Sequence, residues 1–123
     1  MPSASPPLKP LVWIASAKKD LLALPADVVD IFGYALHLAQ TGKKHDQAKP
    51  LTGFGSAGVL EVVEDWHGNT YRAVCMVRLA AAVFVLHVFQ KKPKRRIATP
   101  TQDLDLIKDR LKLAEQIAKE LPK

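Results

Sequence analysis

The chain has a single cysteine, Cys75, so it can form neither an intrachain disulfide nor a cysteine-rich metal site. Long hydrophobic runs are also missing. The longest, Leu79 to Phe89, contains His87 and is about eleven residues long, against the roughly twenty needed to cross a bilayer. Met1 to Pro10 lacks a basic start followed by an apolar core, so no secretory signal is expected and the cytoplasm is the expected location. No Gly-x-x-x-x-Gly-Lys-Ser loop and no Gly-x-Gly-x-x-Gly run occurs, and no cofactor is expected. His37, His45, His67 and His87 are scattered without an i, i+4 pair, the pattern of plain polar or core histidines, so no metal site is expected either.

What the chain does have is positive charge in one place. Eighteen Lys and Arg against twelve Asp and Glu leave a net charge of +6 and a pI near 9.6. Lys91 to Arg96 (K-K-P-K-R-R) holds five of the eighteen, so the remaining 117 residues carry thirteen cations against twelve acids and are almost neutral. A local cluster of this kind gains free energy from phosphates by releasing their counterions, which makes a polyanion the natural partner.

A length of 123 residues, 48% hydrophobic, fits one core. Residues 1–10, with four prolines, read as a flexible arm, and 11–123 as a single domain. Leu11 to Ile14 is a short β-type run, and Ala17 to Leu24 a short helix. Pro25 suits the first turn of a second helix, in which Val28, Phe32, Ala35, Leu36 and Ala39 repeat at three and four before Gly42 stops it. Gly33 within it is expected to mark a close helix contact. Thr41 to Gly58 is too broken by glycine and proline for a regular element. Val59 to Glu64, Tyr71 to Arg78 and Ala82 to Phe89 read as three strands, joined by a His67-Gly68-Asn69 turn and a junction near Ala80 and Ala81. The third is apolar on both faces, as a central strand covered on both sides would be. Thr101 or Asp103 can cap a last helix with a stripe of Leu104, Ile107, Leu111, Ala114, Ala118 and Leu121. The expected class is α+β: a short N-terminal strand, two helices, a three-stranded antiparallel meander and a C-terminal helix, with the helices on one side and the other face of the sheet open.

The sharpest local signal is a strand that runs into the basic segment, because a rigid strand holds cations at a fixed place where a tail would leave them mobile. Lys91, Lys92, Lys94, Arg95 and Arg96 are therefore candidate anion contacts. Arg72 and Arg78 stand six apart on the neighbouring strand, on one face with Val74 and Met76. Arg72 can grip a phosphate with its planar fork, or pair with Glu61 or Glu64 across the hairpin; the pattern leaves both open. Lys49 and the Gly53-Phe54-Gly55 loop can touch a nucleic-acid backbone or simply make a turn. Trp66 and Tyr71 can stack on bases or pack, and Cys75, opposite to Arg72, reads as core. His87 is a possible proton carrier or a core histidine.

Taken together, A-K-P-L-x-G-F-G, L-E-V-V-E, T-Y-R-A-V and V-L-H-V-F-Q-K-K-P-K-R-R-I-A-T-P, spread over Ala48 to Pro100, resemble the phage-derived HigB-like branch of the RelE superfamily of toxins. The resemblance extends from Trp13 to about Leu113. It implies a RelE-like fold and a small basic protein that cuts messenger RNA on the ribosome. Such proteins are neutralised by a cognate helix-turn-helix antitoxin in a toxin–antitoxin hetero-oligomer. By resemblance, Arg72 holds the scissile phosphate and Lys91 and Lys92 form the basic pair after the last strand, with Lys94 extending that surface. Metal-free cleavage requires the 2′-hydroxyl to lose its proton and attack the adjacent phosphorus, and the negative transition state then gains from Arg72 and Lys91. A lysine crowded by other cations can serve as the base. Two other readings remain. One is a catalytically inactive relative that binds nucleic acid or an antitoxin-like regulator, and the other a plain phage structural protein.

Overall fold

Residues 8–55, 58–78, 81–91 and 101–121 are described in the computed structural model. Along the chain run β1 (Leu11–Trp13), α1 (Ala17–Leu22), α2 (Ala26–Gln40), β2 (Ala48–Pro50), β3 (Val59–Trp66), β4 (Asn69–Met76), β5 (Val83–Lys91) and α3 (Thr101–Glu120). One five-stranded sheet has the order β1-β5-β4-β3-β2, with β1 parallel to β5 and the other neighbours antiparallel. The architecture is the expected α+β arrangement, with the C-terminal helix packed on one face of the sheet.

Two particulars differ from the sequence reading. Helices cover both faces. On one side α1 and α2 bury Leu21, Val28, Phe32 and Leu36 against Val62, Tyr71, Ala73, Cys75 and Val85. On the other, α3 brings Ile107 and Ala114 down on Val59, Val74, Met76, Phe84 and Leu86. The cause lies in β5: Phe84 and Val85 point to opposite faces, both fully buried, and leaving either wet would forfeit about 1.5–3 kcal/mol. The second difference is β2, three residues inside the stretch that reads as irregular. It survives because it lies at the sheet edge and pairs on one side only, Ala48 with Val62 and Lys49 with Glu61, so Pro50 ends it where the missing N–H costs nothing.

Local details follow the sequence closely. Pro25 is the N-cap of α2, and Gly42, at φ 84°, lies just beyond the C-cap Thr41. β3 and β4 are joined through His67 and Gly68, at φ 50° and 80°, the left-handed pair that a tight hairpin turn requires. Trp66 Nε1–H donates to Asp27 Oδ2 at 3.2 Å, tying the hairpin tip to the start of α2. Lys9 and Pro10, counted with the arm by composition, are hydrogen-bonded: Lys9 N–H donates to Gln40 O and Val83 N–H to Pro10 O.

The glycines separate into two kinds. A side chain on Gly33 would meet nothing within 4 Å, so this residue marks no close contact and only loosens α2. Gly58, at φ 75°, has Arg78 Cβ only 2.4 Å from where its own Cβ would stand. In urea denaturation, Gly33→Ala should therefore gain about 0.5–1 kcal/mol. Gly58→Ala should lose more than about 1 kcal/mol, from backbone strain and the clash together.

Candidate functional site

The site begins with an irregularity in β5. Val85 pairs with Cys75 and His87 with Val74, so Leu86 is an extra residue with no ladder partner on β4. A bulge of this kind turns two successive side chains to one face, and here Leu86 packs in the α3-side core while His87 meets α3 itself. The helix engages both bulge residues. Arg110 Nη1 donates to the carbonyl of Leu86 at 2.9 Å and its Nη2 to Ser16 Oγ at 3.3 Å. His87 Nε2 lies 2.7 Å from Asp103 Oδ1.

Beside them lies a buried ion pair. Arg72 of β4 projects to the same face as Val74 and Met76, and its Nη1 donates to Glu61 Oε2 at 2.7 Å. Both side chains are 5% exposed. In register Arg72 faces Val63, so Glu61 is its diagonal neighbour two residues along β3, within reach of a long side chain. Of the alternatives open in the sequence, the cross-strand pair with Glu61 is formed. Phe89 lies opposite Arg72 on β5 and stacks on the His87 ring, centroids 4.5 Å apart at 14°. Thus Glu61, Arg72, Phe89, His87 and Asp103 form a continuous row on the α3 side.

β5 runs on to Lys91, whose backbone pairs with Thr70 two residues from Arg72, so the ladder fixes the point where the basic segment leaves the sheet. Lys92, Lys94, Arg95 and Arg96 lie outside the described residues. Arg78 is exposed past the end of β4, where it packs against Gly58 and away from the row. Lys49 is exposed on β2, opposite Glu61 in register, so it sits on the α3 side of the sheet edge. His87 is a largely buried histidine, 7% exposed, with its Nδ1 buried and without a hydrogen-bond partner among the described residues. The expected open face is absent among the described residues, since α3 occupies part of it and Arg72 is covered.

Asp103 in the row and Arg110 on the same helix carry roles that the sequence does not suggest. Asp103, expected as a helix cap, spends its carboxylate on His87. Arg110 was not singled out, although a signal exists: Asp103 and Arg110 stand seven apart, two polar residues along the rim of the apolar stripe. On the opposite side of the sheet, Tyr71 is 4% exposed and belongs to the α2-side core, and Trp66 is packed against it. Cys75 lies in the same core, where burial pushes its thiol up to about 12. A thiol so held is protonated and inert at neutral pH.

Compared with family models, residues 19–112 match the model described as phage-derived protein Gp49-like (DUF891), well over half of the chain. No curated protein matches the chain.

Breaking the buried pair on one side, by Arg72→Met or Glu61→Leu, should cost about 3–5 kcal/mol in urea denaturation, because a charge is stranded away from water. Replacing both should cost far less than the two single changes added together. The thiol gives a pH signature of known sign. Its folded-state pKa is raised from 9.0 to about 12, so its contribution is complete below pH 9 and is lost as the pH climbs toward 12. Cys75→Ala should flatten that part of the alkaline stability curve, measured as the difference from the parent protein across the same pH range.

Proposed function

The chain belongs to the Gp49-like family of phage-derived proteins, and from that membership we propose that it is a RelE-superfamily toxin of the HigB-like branch. In this reading it is a metal-independent endoribonuclease that acts on messenger RNA bound to the ribosome, in the cytoplasm. The observation that carries the reading is the end of β5. The ladder holds the backbone of Lys91, the first of five cations in the sequence 91–96, opposite Thr70, two residues along β4 from Arg72. Rigid placement matters because phosphoryl transfer without metal depends on charge aimed at where charge develops.

The chemistry uses the RNA's own hydroxyl. A base removes the 2′-proton, the 2′-oxygen bonds to the adjacent phosphorus, and the bond from phosphorus to the 5′-oxygen breaks. The 5′-oxygen takes up a proton, leaving a 2′,3′-cyclic phosphate and a 5′-hydroxyl end. Lys91 and Lys92 supply the positive charge that the pentavalent state requires, and one of them the base. Arg72 joins them by exchanging the Glu61 carboxylate for the scissile phosphate, since its planar fork accepts either. His87, held by Asp103, carries protons at the rim of the row. A helix-turn-helix antitoxin that covers the basic segment, or wedges against α3 beside the exposed Leu113, neutralises the toxin in a hetero-oligomer.

A second reading is favoured by one observation: Arg72 is covered and its guanidinium is bonded to Glu61. On that reading the protein is an inactive relative that binds RNA or a regulator and cuts nothing. Expression of the parent protein separates the two. The toxin reading expects growth arrest and new 5′ ends by primer extension on cellular messages. Both should vanish in a Lys91→Ala/Lys92→Ala double variant whose circular dichroism matches the parent. Arrest that persists undiminished in that folded variant would sink the proposed site. Salt-sensitive RNA binding without new ends would favour the inactive relative.

A further inference from the structure

The row on the α3 side leaves a second group of side chains unexplained, on the opposite side of the sheet. Tyr34 of α2 is one of the few large hydrophobic side chains that the fold leaves in solvent, 58% exposed. Its helix buries Val28, Phe32, Ala35, Leu36 and Ala39, so the ring stands on the outward face and contributes nothing to the core. Yet it is not without company. The connection after α2 turns back so that His45 meets the Tyr34 ring edge-on, centroids 5.8 Å apart at 80°. His45 lines, together with Lys43, Lys44, Ala35 and Ala39, a narrow apolar recess between α2 and the sheet. Lys43 and Lys44 are both exposed. An exposed aromatic ring on α2 is thus in edge contact with His45, and the two residues before His45 in the chain are exposed lysines.

The position of the group gives it a direction. β2 begins three residues after His45 and forms the free edge of the sheet, and on it Lys49 is exposed toward the α3 side, paired in register with Glu61. Lys43, Lys44 and Lys49 therefore pass round one sheet edge, from the α2 side to the side on which Arg72 projects. Residues 43–49 contain these three cations and one acid, Asp46. Asp30, exposed on α2, stands one turn before Tyr34.

We infer that Tyr34, His45, Lys43 and Lys44 form a second contact surface for single-stranded RNA, in which a base stacks on Tyr34 and the adjoining phosphates lie against the two lysines. The inference rests on the reading of this protein as one that binds RNA, and it extends that reading to a strand that wraps the β2 edge between Tyr34 and the α3 side. The chemistry suits an RNA strand better than an acidic protein. Cations alone would serve either partner, whereas a solvent-facing aromatic ring in contact with the same segment adds a face for stacking that every base can use and that acidic side chains cannot.

The test uses the full chain and a short fluorescent oligouridylate carrying a photoreactive 4-thiouracil, with binding followed by anisotropy. Tyr34→Leu keeps an apolar residue at an exposed site and removes only the stacking face; it should weaken binding about ten-fold. Tyr34→Phe should bind like the parent. Lys43→Gln/Lys44→Gln should weaken binding and lower the slope of affinity against salt by the equivalent of about two phosphate contacts. The photocrosslink should map to the peptide that contains Tyr34 or to the one that contains His45. Equal binding by Tyr34→Leu and the parent would overturn the inference, even if the lysine change weakened binding, for that pattern describes a cationic surface suited to an acidic protein. Loss of binding only in Lys91→Ala/Lys92→Ala would overturn it while leaving the toxin reading intact. A parent protein that does not bind the oligouridylate would overturn the inference, while the toxin reading stands or falls on growth arrest and primer extension.

Discussion

Burial of β5 on both faces is the constraint from which the rest of the molecule follows. A strand with Phe84 and Val85 on opposite sides, each fully buried, cannot exist at an edge or under a single layer of helix. It takes β1 on one side and β4 on the other, α1 and α2 above, and α3 below. The bulge at Leu86 is where this tightly specified strand departs from regularity. There α3 acquires its polar attachments, Arg110 to the freed carbonyl and Asp103 to His87. Helix position and site geometry are thus set by the same two residues of one strand.

The α3 side carries an unusual load of polarity for a covered face. Glu61, Arg72 and His87 are all buried, and each has a partner of opposite or complementary character 2.7 Å away. Apolar residues in the same places would pack with less desolvation cost, so the charges are not explained by stability. The opposite side of the sheet holds the larger apolar core and supplies the rigidity, with Tyr71, Cys75 and Trp66 all used in packing.

Much of this was legible in the sequence, and the failures have physical causes. The helices announced themselves through the three-and-four spacing of Val28, Phe32, Ala35 and Ala39, and the hairpin through its His67-Gly68 turn. β5 reads from sequence as a doubly covered strand, and such a strand already requires helices on both faces of the sheet and not on one. β2 was hidden because an edge strand of three residues needs no alternation and tolerates Pro50. Arg72 could be assigned a face but not a partner, since Glu61 and Glu64 differ only in register and orientation, which the three-dimensional ladder decides. Asp103 looked like a cap because caps are local, whereas its bond to His87 spans two elements.

The parallel pairing of β1 with β5 also governs when the fold can close. Leu11 meets Val83, so α1, α2, β2, β3 and β4 must all be looped out between two strands that are neighbours in the finished sheet. Such a contact is slow to form and is rewarded only after the intervening chain has organised. During synthesis the helices α1 and α2 and the β3–β4 hairpin can assemble from local contacts while β5 is still being made. The N-terminal strand then has nothing to join. Completion of the sheet and arrival of Lys91 at its end are therefore the same late event, and the cover on the other face waits longer still, for α3 follows β5 in the chain.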